Sequence, residues 1–325
     1  MALSGTHTNW VYGSYEADRN DQIKISENHP LHDGDLTKLN VHIDGKDRLA
    51  LAYGYDLLAN INTLVNDLSP FVTSLRAEMN VTQALEKVKL LVLNSGNKTK
   101  AQIRDEINSY ITLGTEENAT LLLNKTVSNF ETALDKNFGS DTLTLSRERA
   151  AVISQIYRLG SGGAPSLMKA IKNNNRAESW FQIRFNSNAD ELPGNYIRVV
   201  AESDMFGLYD AAGVTEVSAK EVMRMYLRNK SKIIEEQNKY PTVYDNSDSI
   251  INQISHTRDY LIAKYGEGIN IDGDVQVGKG GSATYDYLET NYNDTLTGTA
   301  KNDLIFGERG SDSLNGGAGD DILIG

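Results

Sequence analysis

The sequence predicts an α+β fold that is mainly α-helical, with a small β-sheet in its body and a parallel β-roll at its C-terminal end. Three observations support this prediction. Apolar residues recur at helical spacing between capping signals from about Asp56 to Tyr240. Short strand-like runs occupy Asn40–Tyr55. One nine-residue pattern recurs four times from Glu289 to Gly325.

The helical part of the chain carries recognisable start and stop signals. Thr99-x-x-Gln102 and Ser218-x-x-Glu221 have the form of capping boxes, which predict helices that begin there. Gly114 is expected to end one helix, and the acidic residues after Thr115 to open the next. Ser146–Leu159 is nearly apolar all round in its second half, so we expect a buried central helix.

Composition is that of a soluble globular protein, and 325 residues suffice for one sizeable domain with an appendage. No apolar run approaches the roughly 20 residues that span a bilayer, so we expect no transmembrane segment. The first residues lack the basic and apolar regions of a cleaved signal peptide. The absence of cysteine excludes disulfides and thiolate metal sites.

Negative charge is concentrated in the last quarter of the chain. Residues 241–325 contain 5 Lys or Arg against 14 Asp or Glu, a net charge of −9 out of −12 for the whole chain. Nucleic acid is therefore not an expected partner, because binding it requires a basic face. A concentrated acidic segment favours cation binding, although a solvated acidic tail has the same composition.

The C-terminal repeat keeps an aspartate and an aliphatic residue in register. The aspartates that recur every nine residues are Asp294, Asp303, Asp312 and Asp321, and the aliphatic residues are Leu296, Ile305, Leu314 and Leu323. Each unit supplies a glycine-rich turn and a short strand, and two units make one turn of a roll. Carboxylates and backbone carbonyls of stacked turns would form the oxygen shell that Ca²⁺ requires. We therefore predict the four aspartates as calcium ligands, with folding coupled to calcium binding.

This array resembles the repeats-in-toxin family, and the last unit, GGAGDDILI, fits the family's nonapeptide pattern at every fixed position. The resemblance implies an extracellular protein exported by type I secretion machinery with an uncleaved C-terminal signal. Gly325 is the first position of a fifth unit, so we expect the array and the export signal to follow it. A disordered acidic linker is the alternative that the in-register pattern disfavours.

Carboxylates are the catalytic groups that the body offers. It contains no His-Glu-x-x-His zinc signature, no Gly-x-Ser-x-Gly nucleophile elbow and no phosphate-binding loop. His29 and His32 lie near Asp33 and Asp35, where a polar loop is a better interpretation than a metal site. A glutamate at a helix end that faces an aspartate in a β-turn suits glycoside hydrolysis, in which one carboxyl protonates the leaving oxygen.

Residues from about Lys24 to Tyr209 resemble the phage-type lysozymes. The resemblance is carried by Arg149–Gly160, by the helix that precedes it, and by Trp180 and Arg184-Phe185-Asn186. It implies a two-lobed muramidase domain over 1–240 with a helical insertion at about 59–113. A linker over 241–288, with a helix near Ser249–Tyr265 and a β-like stretch, is expected to join this domain to the truncated array over 289–325.

The same resemblance implies roles for individual residues. Glu27 would be the general acid and Asp44 the second carboxylate, whereas Leu57 and Tyr157 would line the sugar-binding cleft. Position 50, where the family has a threonine that helps to hold the attacking water, is alanine in this chain.

Two functions of different classes follow from these patterns. The first is a secreted peptidoglycan hydrolase that cleaves the bond between N-acetylmuramic acid and N-acetylglucosamine. The alternative is a calcium-dependent adhesin or wall-binding module that keeps the two-lobed body as a scaffold, because fold alone does not determine function. A third possibility is a toxin fragment whose main activity lies beyond Gly325.

Overall fold

The computed structural model describes residues 12–94, 96–139, 143–160, 162–187, 193–240, 254, 257, 260, 263, 275–277, 293–307 and 310–325. These residues form two compact units. The first contains the described residues of Val11–Asn137 and Ile156–Ser161, and the second contains the others. The described chain is mainly helical with small sheets, which confirms the prediction of a mainly α α+β fold. Within the described residues, no helix is both long enough and apolar enough to span a bilayer.

The first unit begins with a long helix and a small antiparallel sheet. Helix α1 (Tyr12–His32) bends at Asn28, whose backbone is not helical, and a 3₁₀ turn (Leu36–Leu39) follows. Strands β1 (Val41–Ile43), β2 (Leu49–Leu51) and β3 (Tyr55–Asp56) pair antiparallel in that order. The short strands predicted in Asn40–Tyr55 are therefore present.

The predicted insertion at about 59–113 has its own helices and a second, two-stranded sheet. Its elements, in chain order, are α2 (Leu64–Leu68), β4 (Thr73–Ser74), α3 (Val81–Leu93), α4 (Lys100–Ile107) and β5 (Ile111–Thr112). Strand β4 pairs antiparallel with β5 and so closes the segment at its base. The predicted capping box begins α4, because the Thr99 hydroxyl accepts from the Gln102 amide and the Gln102 side chain accepts from the Thr99 amide. Gly114 follows β5 rather than a helix, which corrects the expected helix end there.

Helix α5 (Glu116–Phe138) completes the first unit and begins at the predicted position, with Glu116 and Glu117 in its first turn. The buried leucines and valine of this helix lie on one side of it. Carboxylates in a first turn stabilise a helix because they face its unpaired amides.

The second unit is built around a helix that is buried along its whole length. Its helices are α6 (Arg147–Leu159, of which the residues up to Gln155 belong to this unit), α7 (Pro165–Lys172), α8 (Arg176–Phe185), α9 (Pro193–Phe206) and α10 (Glu216–Lys239). Helix α8 contacts α7, α9 and α10, and every one of its residues is buried. Residues 148–156 of α6 are also buried, as predicted. Helix α10 begins two residues before the predicted capping box, because Thr215 rather than Ser218 caps it.

Short parallel strands follow at the C-terminal end. They are β6 (Val275–Val277), β7 (Thr295–Thr297), β8 (Leu304–Phe306), β9 (Ser313–Asn315) and β10 (Ile322–Ile324). Strand β7 pairs with β9, and β8 pairs with both β10 and β6. The predicted linker, 241–288, lies largely outside the described residues, but its strand β6 shares a sheet with two repeat strands. Ile254, Thr257, Tyr260 and Ala263, the described residues of a predicted helix in this linker, are helical.

A buried ion pair stabilises the centre of the second unit. Glu148 accepts a hydrogen bond of 2.7 Å from Arg176 Nη2, and the side chains are 0% and 5% exposed. Arg176 Nη1 also donates to the carbonyl oxygens of Phe206 and Gly207. Removal of one partner of such a pair leaves an uncompensated buried charge.

We expect Arg176→Met to lower the free energy of unfolding by about 3 kcal/mol or more, because it removes a cation that pairs with a fully buried carboxylate. Denaturant titration of the whole chain measures this loss. Arg147→Met removes the same charge from an exposed position of α6 and should change stability by less than about 0.5 kcal/mol. Equal effects of the two substitutions would contradict the assignment.

Candidate active site and calcium-binding repeats

Glu27 occupies the last helical position before the bend of α1. The bend at Asn28 (φ −154°, ψ 71°) is held by its buried side chain, whose Nδ2 donates to the carbonyl oxygen of Ala52 at 2.9 Å and to that of Lys38 at 3.3 Å. An asparagine amide can donate two hydrogen bonds and here it uses both on backbone carbonyls. This fastens the end of α1 to the turn between β2 and β3 and fixes the position of Glu27 relative to the sheet.

The Glu27 carboxylate lies against the backbone of Gly54. A Cβ added to Gly54 would come within 3.0 Å of Glu27 Oε2 and within 3.6 Å of Tyr157 Cε1. Gly54 also has a φ of +89°, which L side chains rarely adopt. Ala52, two residues earlier, has a φ of +48°, a conformation that costs a residue with a Cβ about 1 kcal/mol. This turn is therefore shaped to let the carboxylate approach the backbone.

Hydrogen bonds from Lys24 and Tyr53 to Glu116 hold this turn to helix α5. Lys24, one helical turn before Glu27, lies 2.7 Å from Glu116 Oε1, and the Tyr53 hydroxyl donates to the same oxygen at 3.0 Å. The hydrogen bond from Lys24 lowers the pKa of Glu116, and burial raises that of Tyr53. Tyr53 precedes Gly54, so these hydrogen bonds position the backbone against which the Glu27 carboxylate packs.

Asp44 begins the turn between β1 and β2 and is held by four donors. Its Oδ1 accepts from the backbone amides of Lys46 at 2.9 Å and Arg48 at 2.8 Å, and its Oδ2 accepts from Arg48 Nε at 2.8 Å and Arg48 Nη2 at 2.6 Å. Burial raises the pKa of Asp44, but the hydrogen bonds and charge of Arg48 outweigh it, so the pKa lies below its ordinary value. Asp44 is therefore ionised at neutral pH.

Arg48 also contacts a second carboxylate. Its Nη1 lies 3.4 Å from Asp56 Oδ2, on strand β3. Burial lowers the pKa of Arg48, but the pairing with Asp44 and the charges of Asp56 and Glu27 outweigh it and raise the pKa. Asp44 and Asp56 thus contact one guanidinium, on which the charge of Glu27 also acts. Asp44 lies in the turn before β2, and the Glu27 carboxylate lies against Gly54 in the turn after it.

The two residues predicted to line a sugar cleft have other surroundings. Leu57 is 0% exposed, so its side chain belongs to the core and presents no surface to a substrate, which corrects that expectation. Tyr157 is half-buried, and its hydroxyl donates to the carbonyl oxygen of Tyr53 at 2.7 Å while its ring packs edge-on to Phe130. Tyr157 therefore supports the turn that carries Gly54.

The two histidines near the end of α1 pair with carboxylates. His32 Nε2 lies 2.7 Å from Asp21 Oδ1, and its Nδ1 lies 3.3 Å from Asp33 Oδ1. The hydrogen bond to Asp21 raises the pKa of His32, against the effect of burial. Both ring nitrogens are engaged by carboxylates, which supports the polar-loop interpretation. No cluster of three metal-ligating side chains occurs in the described part of the chain.

In the repeats, units two apart lie side by side. Leu296 on β7 is opposite Leu314 on β9, and Ile305 on β8 is opposite Leu323 on β10. The predicted aspartate pairs meet in the same way. Asp312 Oδ1 accepts from the backbone amide of Asp294, and Asp321 Oδ1 accepts from that of Asp303, each at 2.9 Å.

In the turns between these strands, carboxylate and backbone carbonyl oxygens lie close to glycines. A Cβ on Gly307 would lie 2.7 Å from Asp312 Oδ2, and one on Gly319 would lie 2.6 Å from the carbonyl oxygen of Lys301. Only glycine permits so close an approach of backbone and carboxylate oxygens. Such an all-oxygen donor set suits Ca²⁺, which takes six to eight oxygen ligands from carboxylates and carbonyls. The residues present therefore fit the ion.

Comparison with known families agrees with this site. Residues 290–323 match the model of the RTX calcium-binding nonapeptide repeat in four copies. The repeats are calcium-binding, and repeats of this kind are typical of secreted proteins. No curated protein and no solved structure matches the chain.

Several residues of the candidate active site escape prediction from sequence. Arg48, Asp56 and Glu116 each contact a predicted residue or its support. The spacing of Asp44 and Arg48 across a Gly-containing turn was the available signal for their pairing. The contacts of Glu116 join residues 63 or more positions apart, and no local pattern marks them.

Replacement of Arg48 by Gln should raise the pKa of Asp44. Burial raises this pKa, and in the variant the backbone hydrogen bonds still oppose burial but the guanidinium charge no longer does. Carboxyl-detected NMR titration measures this shift. A lowered folded-state pKa stabilises the fold above the unfolded-state pKa, and this stability is lost as pH falls through the folded-state value. Arg48→Gln should therefore lose less stability between neutral and acidic pH than the native chain. Arg104→Gln, at an exposed pair with Asp105, is the control and should leave the Asp44 titration unchanged.

Asp303→Asn should weaken calcium binding by the repeats by about tenfold or more, because a carboxylate ligand is lost. Isothermal titration with CaCl₂ measures the affinity, and the thermal midpoint of the tail should rise less with calcium than in the native chain. Asp320→Asn removes an equal charge from an exposed position outside the recurring aspartates. If Asp320→Asn weakened binding as much, net charge rather than ligand geometry would explain the affinity.

Proposed function

We propose that the protein is an extracellular glycosidase of lysozyme type that hydrolyses the bond between N-acetylmuramic acid and N-acetylglucosamine in peptidoglycan. The observation that carries the proposal is that two carboxylates lie at the turns of one small sheet, Asp44 paired with Arg48 in the β1–β2 turn and Glu27 against Gly54 in the β2–β3 turn. Hydrolysis of a glycosidic bond commonly uses two carboxyl groups, and different surroundings allow one to act as an acid and the other as a base or nucleophile.

The two carboxyls have distinct roles in this proposal. Asp44 is held ionised by Arg48, which suits a residue that activates water or stabilises positive charge at the sugar ring. Glu27 is the proton donor to the leaving oxygen. Its position at a bend fixed by Asn28, against the backbone of Gly54, sets where that proton is delivered.

Position 50 is the main departure from the family's motif. Ala50 pairs with His42 on β1 and with Asp56 on β3, and residues directly opposite one another in antiparallel strands share a face. His42 and Asp56 therefore flank the side chain of Ala50 and are the groups that this chain offers to hold a water in place of the missing hydroxyl. Ala50 itself is 2% exposed, so a threonine there needs local adjustment.

The repeats support an extracellular location for this activity, because repeats of this kind are typical of secreted proteins. We propose that the strand pairs form turns of a parallel β-roll that folds when calcium is available, after export through type I secretion machinery. Inside cells the concentration of free Ca²⁺ is near zero, so a roll of this kind stays unfolded there. Outside cells the Ca²⁺ concentration is high enough to fill calcium sites of modest affinity.

The alternative is a calcium-dependent adhesin or wall-binding module with a degenerate catalytic centre. The observation in its favour is the complete pairing of Asp44 by Arg48, together with Ala50. In this case Glu27 and Asp44 are polar supports of the turn, and the body binds the wall without cleaving it.

Release of muropeptides from purified peptidoglycan decides between these functions. We expect the native chain to release reducing ends and Glu27→Gln to lose this activity by about 100-fold or more, because no other group delivers the proton. Glu117→Gln, an exposed carboxylate of α5, is the matched control and should retain activity. Sedimentation of the protein with intact walls, without release of reducing ends at any calcium concentration, would favour the wall-binding module.

A further inference from the structure

Strand β6 extends the sheet of the repeats with a segment that is not itself a repeat. Val275 pairs with Leu304, so β6 lies parallel to β8, on the side of β8 opposite to β10. Repeat partners are 18 residues apart, whereas the residues that pair in β6 and β8 are further apart in the sequence. The strand also precedes the matched repeats, 290–323. It therefore occupies the place beside β8 that a further repeat strand would take.

Strand β8 has a neighbour on each side, and the aspartate and aliphatic residue of its unit are buried. Ile305 is 0% exposed and Asp303 is 1% exposed. Among the described strands, β7 and β9 pair only with each other, and β10 pairs only with β8. The equivalent residues of the other three units are half-buried or exposed, namely Asp294, Leu296, Asp312, Leu314, Asp321 and Leu323. Burial within the array is therefore deepest in the unit that β6 covers.

Strand β6 also contacts the helices of the second unit. Helix α10 contacts β6, and the same helix contacts α8. Every residue of α8 is buried, including Trp180, which is 1% exposed. All of these elements belong to one compact unit. Contacts therefore lead from the repeat sheet through β6 and α10 to the buried helix α8.

The buried aspartate makes this side of the array the one on which calcium has the largest effect. Asp303 Oδ2 accepts from the backbone amide of Thr299 at 2.7 Å, and the amide of Asp303 donates to Asp321 Oδ1 at 2.9 Å. Removal of a carboxylate from water costs free energy unless hydrogen bonds or a cation compensate its charge. A cation bound by Asp303 and Asp321 adds to the compensation that Thr299 provides, so the order of β8 depends on calcium.

We propose that β6 couples the repeats to the helical core, so that calcium bound on the Asp303–Asp321 side of the array stabilises α10 and α8. A ligand that binds only the ordered state stabilises every element that orders together with its site. The premise of this inference is calcium binding by the repeats, and it does not require hydrolysis of peptidoglycan. Calcium then acts on the body of the protein as well as on its tail.

Trp180 reports the stability of α8 directly. The chain contains two tryptophans, so Trp10→Phe leaves Trp180 as the only one. In this background the thermal midpoint of Trp180 emission is measured on the whole chain, with excess CaCl₂ and with a chelator. We expect calcium to raise this midpoint by about 5 °C. Absence of a rise, while calorimetry shows that calcium binds, would overturn the proposal.

Two matched substitutions identify the side of the array that is coupled to the helices. Asp321→Asn alters the side that β6 covers, and Asp312→Asn alters the other. Each aspartate is half-buried and accepts from the backbone amide of the aspartate two units earlier at 2.9 Å. We expect Asp321→Asn to remove about half or more of the calcium-dependent rise in the Trp180 midpoint, and Asp312→Asn about a quarter or less. Equal losses in the two variants would contradict coupling through β6.

Interruption of the strand pairing tests β6 itself. Val275→Pro/Gln276→Pro/Val277→Pro removes every amide that β6 can donate to β8. The control, Val275→Thr/Gln276→Thr/Val277→Thr, keeps these amides and a high β-propensity. We expect the proline variant to bind calcium without the rise in the Trp180 midpoint, and the control to keep the rise. A proline variant that keeps the rise sinks the role of β6. If the proline variant does not fold, the comparison of Asp321→Asn with Asp312→Asn still decides.

Discussion

Arg48 is the group on which the candidate active site depends. It contacts both Asp44 and Asp56, and its pKa also responds to the charge of Glu27. Three carboxylates near one another repel, and a single guanidinium with several donors can compensate more than one of them because its geometry is fixed. Asp44 is held by two such donors and by two backbone amides. The hairpin thus presents its aspartate in one orientation.

Support for this arrangement comes from polar side chains that bond to backbone atoms. Asn28 binds the carbonyl of Ala52, and Tyr157 binds that of Tyr53, so the turn before Gly54 is held from α1 and from α6. The backbone is fixed at the point where the Glu27 carboxylate approaches it. A side chain that acts in proton transfer needs such rigid surroundings, because small displacements of the reacting groups reduce the rate strongly.

Sequence reasoning succeeded where the physical signal is local or periodic. The nonapeptide spacing predicts that β7 lies beside β9 and β8 beside β10, and the capping box at Thr99 predicts the start of α4. It failed for Leu57, because a role transferred by resemblance does not tell whether the side chain at that position faces the core. It also missed the burial of α8, because arginines such as Arg176 and Arg184 are typical of exposed positions. Their burial depends on partners distant in sequence: Glu148 for Arg176 and Ser203 for Arg184. Long-range pairs of this kind leave no mark in a single sequence.

Parallel pairing at a separation of eighteen residues makes the repeat segment modular. Each strand of β7–β10 has its repeat partner two units away, so the free energy of the array is close to a sum of nearest-neighbour terms. Such a chain behaves as a one-dimensional lattice in which order spreads from a nucleus and frays from its ends. Damage to one turn should then remain local, and lengthening the array changes cooperativity in small increments rather than by an all-or-none step.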